Sequence, residues 1–498
     1  MTITLQLVLL IFTLFLIYAA VFGFSNKRPN KRPPGPFAWP YFGNVRLLRG
    51  LSGKLGGQHE ALYHLSKQYK SSLISLRFGN RDTIVVSGIK AINQVLNGEE
   101  YDGRPWNYFI QMRNMGKKRG LTMNDGEVWR DIRSWFVRSM RSIGFARREM
   151  VDSIKEELRE VLDKIKLDSN VRSMKPLIVP AIINILWNFA AGQRLSEDKL
   201  KSLIELMDKR AKSLDMMGGI LSAFPWIRFI APEWSGYNVL VAINNEFKAL
   251  IMETIEEHKK NYVPGSETDL IDMFLNEMYS GKGPQAGYDD DQLVMILVDI
   301  LLAGLNITAT TLDFLFLNMV INQDAQKLLH EEIDQTIGMD KSPDFNDQSR
   351  MPYTESVILE SQRLAPVVPV IGPRRVLRDT CLEGYDLPKD SILVMNLRSI
   401  HVDPELYPEP YEFKPERFIR DGHRICDKNL FFFGKGKRQC PGLSLAKSAV
   451  FLLFTGIMQH YELKPVPGKP APTLQYNPGM TMSPKPYEVL VVPRDTTS

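Results

Sequence analysis

From Asp290 to Asn322 the chain runs for about 33 residues without a proline, dense in Leu, Ile, Val and Phe. At 1.5 Å per residue that is a buried helix roughly 50 Å long. A helix of this length crosses a whole domain, so the fold must be built around it. Near its middle sits Ala303-Gly304. Two small residues there allow either the close approach of something flat, with a local widening of the helix, or tight packing of one helix on another.

Periodicity sorts the remainder. Ser72–Phe78 and Asp82–Ser87 read as strands around a Gly79-Asn80 turn. From Glu127 to about Glu360 the pattern is mostly helical, with Leu200–Leu214 and Asn244–Tyr262 as long amphipathic segments. Between these two lies Met216–Tyr237, rich in Met, Phe, Trp and Pro, which suits either core or an apolar loop touching membrane or ligand. Beyond Pro366 short strands take over: Val367–Ile371, Asp379–Leu387, Ile392–Asn396 and Tyr487–Val492. The expectation is a mainly α fold with a minor β part.

Ile3–Phe24 carries no charge, and about 20 such residues span a hydrocarbon core. A basic cluster (Lys27, Arg28, Lys31, Arg32) follows it and no small-residue cleavage site is visible, which argues for a retained anchor with its N-terminus lumenal and the body cytosolic. Residues 1–25 are therefore expected as a transmembrane signal anchor, 26–40 as a basic, proline-rich and extended linker, and 41–498 as a single catalytic domain. A net charge of +5 without basic–aromatic interleaving argues for a membrane surface or an acidic protein partner and against nucleic acid. Three cysteines with no C-x-x-C pair exclude a disulfide framework and fit a reducing compartment. The scattered histidines offer no zinc-ligand spacing.

Four spaced signals carry chemistry. Trp129 and Arg133, at i and i+4, put an indole donor and a guanidinium on one helix face. Glu360 and Arg363, at i and i+3, can form a buried pair or an ordinary solvated one, and Arg417 lies downstream to complete a network. The last signal is Phe433–Gly442, F-G-K-G-K-R-Q-C-P-G, a basic glycine turn leading into an apolar helical pattern. Cys440 there meets the positive end of a helix, which favours a thiolate, though a buried structural cysteine fits the local sequence as well. Gly434, Gly436 and Gly442 would let backbone pass close to a flat cofactor.

Taken together and in this order, these residues resemble the cytochrome P-450 family of the animal microsomal type, closest in wording to insect members, over essentially the whole chain. The pattern F-x-x-G-x-R-x-C-x-G is met by Phe433, Gly436, Arg438, Cys440 and Gly442. The resemblance implies a single-domain haem-thiolate fold on the endoplasmic reticulum membrane, holding haem b with Cys440 as the axial iron ligand. It implies that Phe433 packs beside the sulfur and that Trp129, Arg133, Arg374 and Arg438 hold the haem propionates. Glu360, Arg363 and Arg417 become a structural network. The implied reaction is monooxygenation of a lipophilic small molecule, hydroxylation or epoxidation, with electrons from NADPH–cytochrome reductase and cytochrome b5 as a second donor. Lys435, Lys437 and Arg130 would form the docking surface for that reductase. Positional similarity nominates Phe224, Ala303, Gly304, Val367, Val368, Val370 and Met480 for the substrate pocket.

One departure bears on mechanism. The family's distal helix carries an acid and a hydroxyl after Ala-Gly; this chain has Asn306 and Ile307, with Thr308 one residue on. Isoleucine can neither donate nor accept a proton, and Asn306 does not titrate. Three readings stay open: monooxygenation with a substituted proton relay, isomerisation or dehydration of an already oxidised substrate, or ligand binding on haem with little turnover.

Overall fold

The computed structural model describes residues 2–23, 31–39, 42–78, 81–167, 170–213, 221, 224–425, 427–479 and 481–494. The long helix spans Asp290–Ile321, within a residue of expectation, and is α-helical without interruption through Ala303-Gly304. Asp289 caps it by accepting the amide of Gln292. Nearly every residue of its second half is buried, because helices pack around it: Lys175–Ala191, Leu443–His460 and Pro352–Leu364. Gly304 answers the question its neighbourhood posed. A Cβ there would lie 2.4 Å from Leu186 Cδ1 of Lys175–Ala191, so this glycine serves helix-on-helix contact.

Other helices lie at Glu127–Ser142, Glu197–Ser213 and Tyr237–Asn261; the last two begin three and seven residues before the amphipathic segments expected there. The main sheet orders Leu73–Phe78, Arg81–Val86, Ile392–Asn396 and Val370–Arg375. Its first and last pairs are antiparallel and its middle pair parallel. Strand Val370–Arg375 starts three residues later than the apolar run suggested. Val370 consequently points into a core with Leu48, Leu62, Leu65 and Leu76. It belongs to the sheet.

The proline-rich segment departs from a free spacer. Pro34 O accepts the Ser75 amide at 2.8 Å, Lys31 O accepts the Asp386 amide at 2.8 Å, and Arg32 pairs with Asp82 at 3.0 Å. Its glycine is required: a Cβ on Gly35 would meet Ser75 O at 2.0 Å. Residues 31–39 are thus tied to the folded body by these contacts.

Candidate active site

Cys440 lies on the turn before helix Leu443–His460, its amide donating to Phe433 O at 2.9 Å. Burial pushes its thiol up, and the Gly442 amide and the Arg133 guanidinium pull it back only in part. Gly436 has φ +67, and a Cβ there would sit 2.6 Å from Leu96 O. The glycine admits the backbone of a neighbouring helix, a different reason from the cofactor approach expected for it. At Gly442 a Cβ would make ordinary contact with Cys440 Sγ at 3.9 Å.

Beside this turn four guanidiniums converge. Arg438 donates to Asp102 O at 2.6 and 2.9 Å and to Asn124 O at 2.8 Å, and lies 3.3 Å from the centre of the Trp129 ring. Arg133 donates to Gln439 O, one residue before the cysteine. Arg374 pairs with Asp102 Oδ1 at 2.6 Å and is almost wholly buried, leaving its Nε without a partner. Sequence reasoning missed the fourth, Arg104, which donates to Thr122 O at 2.9 Å and Pro373 O at 2.6 Å. Its signal was present as an arginine wedged between Gly103 and Pro105.

Charge does not balance here. Asp102 pairs through its carboxylate with Arg374 and takes Arg438 on its backbone carbonyl, while Asp125 is held by Lys118 and Arg375. Burial, then the mutual repulsion of the guanidiniums, lowers Arg104 well below its ordinary value and takes Arg438 down to about 9. A buried excess of cations with an orphaned donor calls for anionic groups. A flat dicarboxylate with a central metal suits this donor set: Cys440 as ligand, the arginines for its carboxylates. Trp129 offers its face to Arg438; its indole N–H already donates to Leu121 O at 2.9 Å.

Glu360 and Arg363, both 0% exposed, form a bidentate pair at 2.7 and 2.8 Å. Arg417 adds a contact to Glu360 at 3.0 Å, and Arg363 also donates to His401 O and Pro410 O. The network ties helix Pro352–Leu364 to the irregular 401–417 stretch, as expected of a structural lock.

On the long helix, Ala303 is exposed although the helix bearing it is otherwise largely enclosed. Ile307 packs in an apolar cluster with Phe314, Leu317, Val367 and Met482. Thr308 is buried, and Thr311 spends its hydroxyl on Ile307 O at 2.8 Å. No hydroxyl of this helix therefore stands at the Ile307 position. Val368 is half-buried beside Val367. Phe224 meets Phe42 edge-on at 5.9 Å and Trp226 at 6.2 Å. Met480 lies outside the described residues. On the cysteine side, Lys437 pairs with Glu99 and Lys435 with Asn93 and the Phe431 ring, while Arg130 is exposed.

The sequence profile described as cytochrome P450 matches residues 33–491. The chain is 34% identical over 495 residues to a probable cytochrome P450 305a1 of Drosophila melanogaster, covering 96% of this chain and 97% of that protein. It is likewise 34% identical over 472 residues to a farnesoate epoxidase of Bombyx mori, covering 93% and 94%. Similarity to cytochrome P450 2J2 of Homo sapiens is 29% over 495 residues, with 98% and 96% covered.

Proposed function

The chain belongs to the cytochrome P450 family, the haem b-dependent monooxygenases bound through a cysteine thiolate, and from that premise we propose that it inserts one atom of dioxygen into a lipophilic, unsaturated substrate, with electrons from NADPH passed on by a reductase. The observation that carries this is the Cys440 turn with four arginines gathered beside it, a thiol ligand next to cations that suit the carboxylates of a flat metal-bearing group. The epoxidase activity named for the Bombyx relative supports epoxidation of an isoprenoid over hydroxylation. The haem supplies the oxidising chemistry. Cys440 would ligate its iron, and Arg104, Arg133, Arg374 and Arg438 would hold its carboxylates by charge-assisted hydrogen bonds. Ala303 leaves room beside it, while Ile307 and Val367 exclude water and press the substrate's apolar part into place. Proton supply falls to Asn306, which can hold a water, and to Thr308, turned about 100° further round the helix.

The same Ile307 favours a second reading, rearrangement or dehydration of an already oxidised substrate, which needs no proton relay to dioxygen. Incubation with reductase, NADPH and isotopically labelled dioxygen separates the two. One labelled oxygen in the product upholds monooxygenation; product without label establishes the rearrangement.

Membrane residence at the endoplasmic reticulum, with the body cytosolic, draws support from two features. Helix Thr2–Gly23 is apolar and about 33 Å long, enough to cross a bilayer. Phe37, Trp39 and Phe42 are exposed, and Phe42 joins Phe224 to the exposed Trp226, Phe229, Ile230 and Trp234, forming an apolar rim of the kind that meets lipid.

A further inference from the structure

A cavity of about 160 Å³ lies beside the cysteine turn, between helix Pro352–Leu364, the 424–433 stretch and the first two turns of helix Leu443–His460. Its lining includes neither Cys440 nor any of the four arginines, so it is separate from the site already described. Leu359, Leu430, Phe432 and Phe433 line it and are only half-buried. Apolar side chains of this size normally finish against other protein atoms; here two phenylalanines keep surface turned to the cavity. A cavity of about this size, walled by such residues, holds one benzene ring.

The polar part of the wall says what that ring should carry. Glu355 is buried there, and its Oε1 accepts Gln348 Nε2 at 2.7 Å. Its Oε2 has Arg424 Nε at 3.8 Å, an ion-pair separation beyond hydrogen-bond reach. Burial raises the Glu355 carboxyl; the Gln348 hydrogen bond and the charges of Arg424 and Lys447 offset this only in part, and Glu332 adds to it. One acceptor of a buried acid is therefore left without a donor among the described residues. The second acid of the wall is already satisfied: Asp427 takes Tyr407 OH at 2.5 Å and the Asn429 amide at 2.7 Å. Arg424 and Lys447, both exposed at the rim, balance the two acids, so the wall as a whole is neutral. A cationic guest would meet those two, an anionic one would meet Glu355, and either would first have to shed its water.

We propose that this cavity binds a small neutral aromatic alcohol, a phenol, with its ring among Leu359, Phe432 and Phe433 and its hydroxyl donating to Glu355 Oε2. The Phe433 carbonyl accepts the Cys440 amide, so such a guest leans on the turn that carries the cysteine. The site is independent of how the substrate is oxidised.

The test uses full-length holoprotein whose haem iron is already capped by a tight-binding azole, which closes the substrate side. Phenol, toluene, benzoate and benzylamine are titrated by calorimetry and by ligand-observed NMR. Phenol should bind with a Kd of about 1 mM or tighter, and about tenfold tighter than toluene, the size of one hydrogen bond to a charged group. Benzoate and benzylamine should both bind more weakly than phenol. Glu355→Gln should bring phenol to within about threefold of toluene, because a neutral acceptor remains. Gln362→Phe, a substitution in the cavity wall, should remove the binding of both. No phenol binding at about 10 mM overturns the proposal, as do phenol no tighter than toluene and binding unchanged in Gln362→Phe. Benzoate or benzylamine outbinding phenol overturns the neutral class. If Gln362→Phe does not take up haem, the phenol-to-toluene ratio in Glu355→Gln decides: an undiminished ratio places the guest elsewhere.

Discussion

Replacing Glu360 by Met removes the acceptor for both N–H groups of Arg363 and for Arg417 Nε, and also for the Lys414 amide at 2.9 Å. Arg363 has no solvent to turn to. Breaking a fully buried pair from one side costs about 3–5 kcal/mol, because the remaining charge is left uncompensated. A body of this size unfolds with an entropy on the order of 1 kcal/mol/K, so Tm should fall by about 3–5 °C. Thermal unfolding of the holoprotein measures it, with haem loss followed in parallel, since the 401–417 stretch precedes the cysteine turn. Glu360→Met/Arg363→Met supplies the sharper arm. Removing both partners takes away the stranded charge, so the double variant should be more stable than the sum of the singles by about 1 kcal/mol or more. Strict additivity, or a single-variant shift below about 1 °C, would refute the account of Glu360 as the clasp of this network.

Other expectations concern single sites. Gly436→Ala forces a left-handed residue and a Cβ against the Leu96 carbonyl, a cost of about 2–4 kcal/mol; the fraction of chains holding haem should drop, and a normally loaded variant would show the loop can shift freely. Ile307→Thr restores a hydroxyl beside Asn306 and should cut peroxide released per NADPH consumed by about twofold or more; equal or greater release would sink the relay argument. For His258 burial lowers the pKa, but the Asp269 hydrogen bond, the Thr254 carbonyl and the charges of Asp269 and Asp272 outweigh it and raise it to about 9. A pKa raised on folding stabilises fully below the ordinary value of 6.5 and loses that contribution as pH climbs through about 9. The Tm advantage of wild type over His258→Gln should therefore shrink between those values, and a difference constant with pH would rule the pair out as its source.

What could be read from sequence was whatever depends on local spacing. The long helix, the Glu360–Arg363 pair and the Arg438-x-Cys440 turn are written at intervals of a few residues, and each reappears in the structure. What could not be read depends on partners far along the chain. Gly304 left two readings open, a flat group or tight helix packing, because Leu186, its neighbour, is more than a hundred residues away. The companions of Val370, Leu48 and Leu62, likewise belong to the opposite end of the sequence. Arg104 has a local signal in its Gly103 and Pro105 neighbours, but its place among four converging guanidiniums depends on residues hundreds of positions away.

The proline-rich stretch has a practical side. Because residues 31–39 lie along the sheet, hydrogen-bonded through Pro34 and Lys31 and clipped by Arg32 to Asp82, the place to cut a water-soluble form is upstream of Lys31. Trimming back to Tyr41 would strip an edge from Leu73–Phe78, leaving the Ser75 amide without its acceptor and an unprotected strand for neighbouring molecules to pair with. A preparation made that way should clump where the longer one stays monomeric.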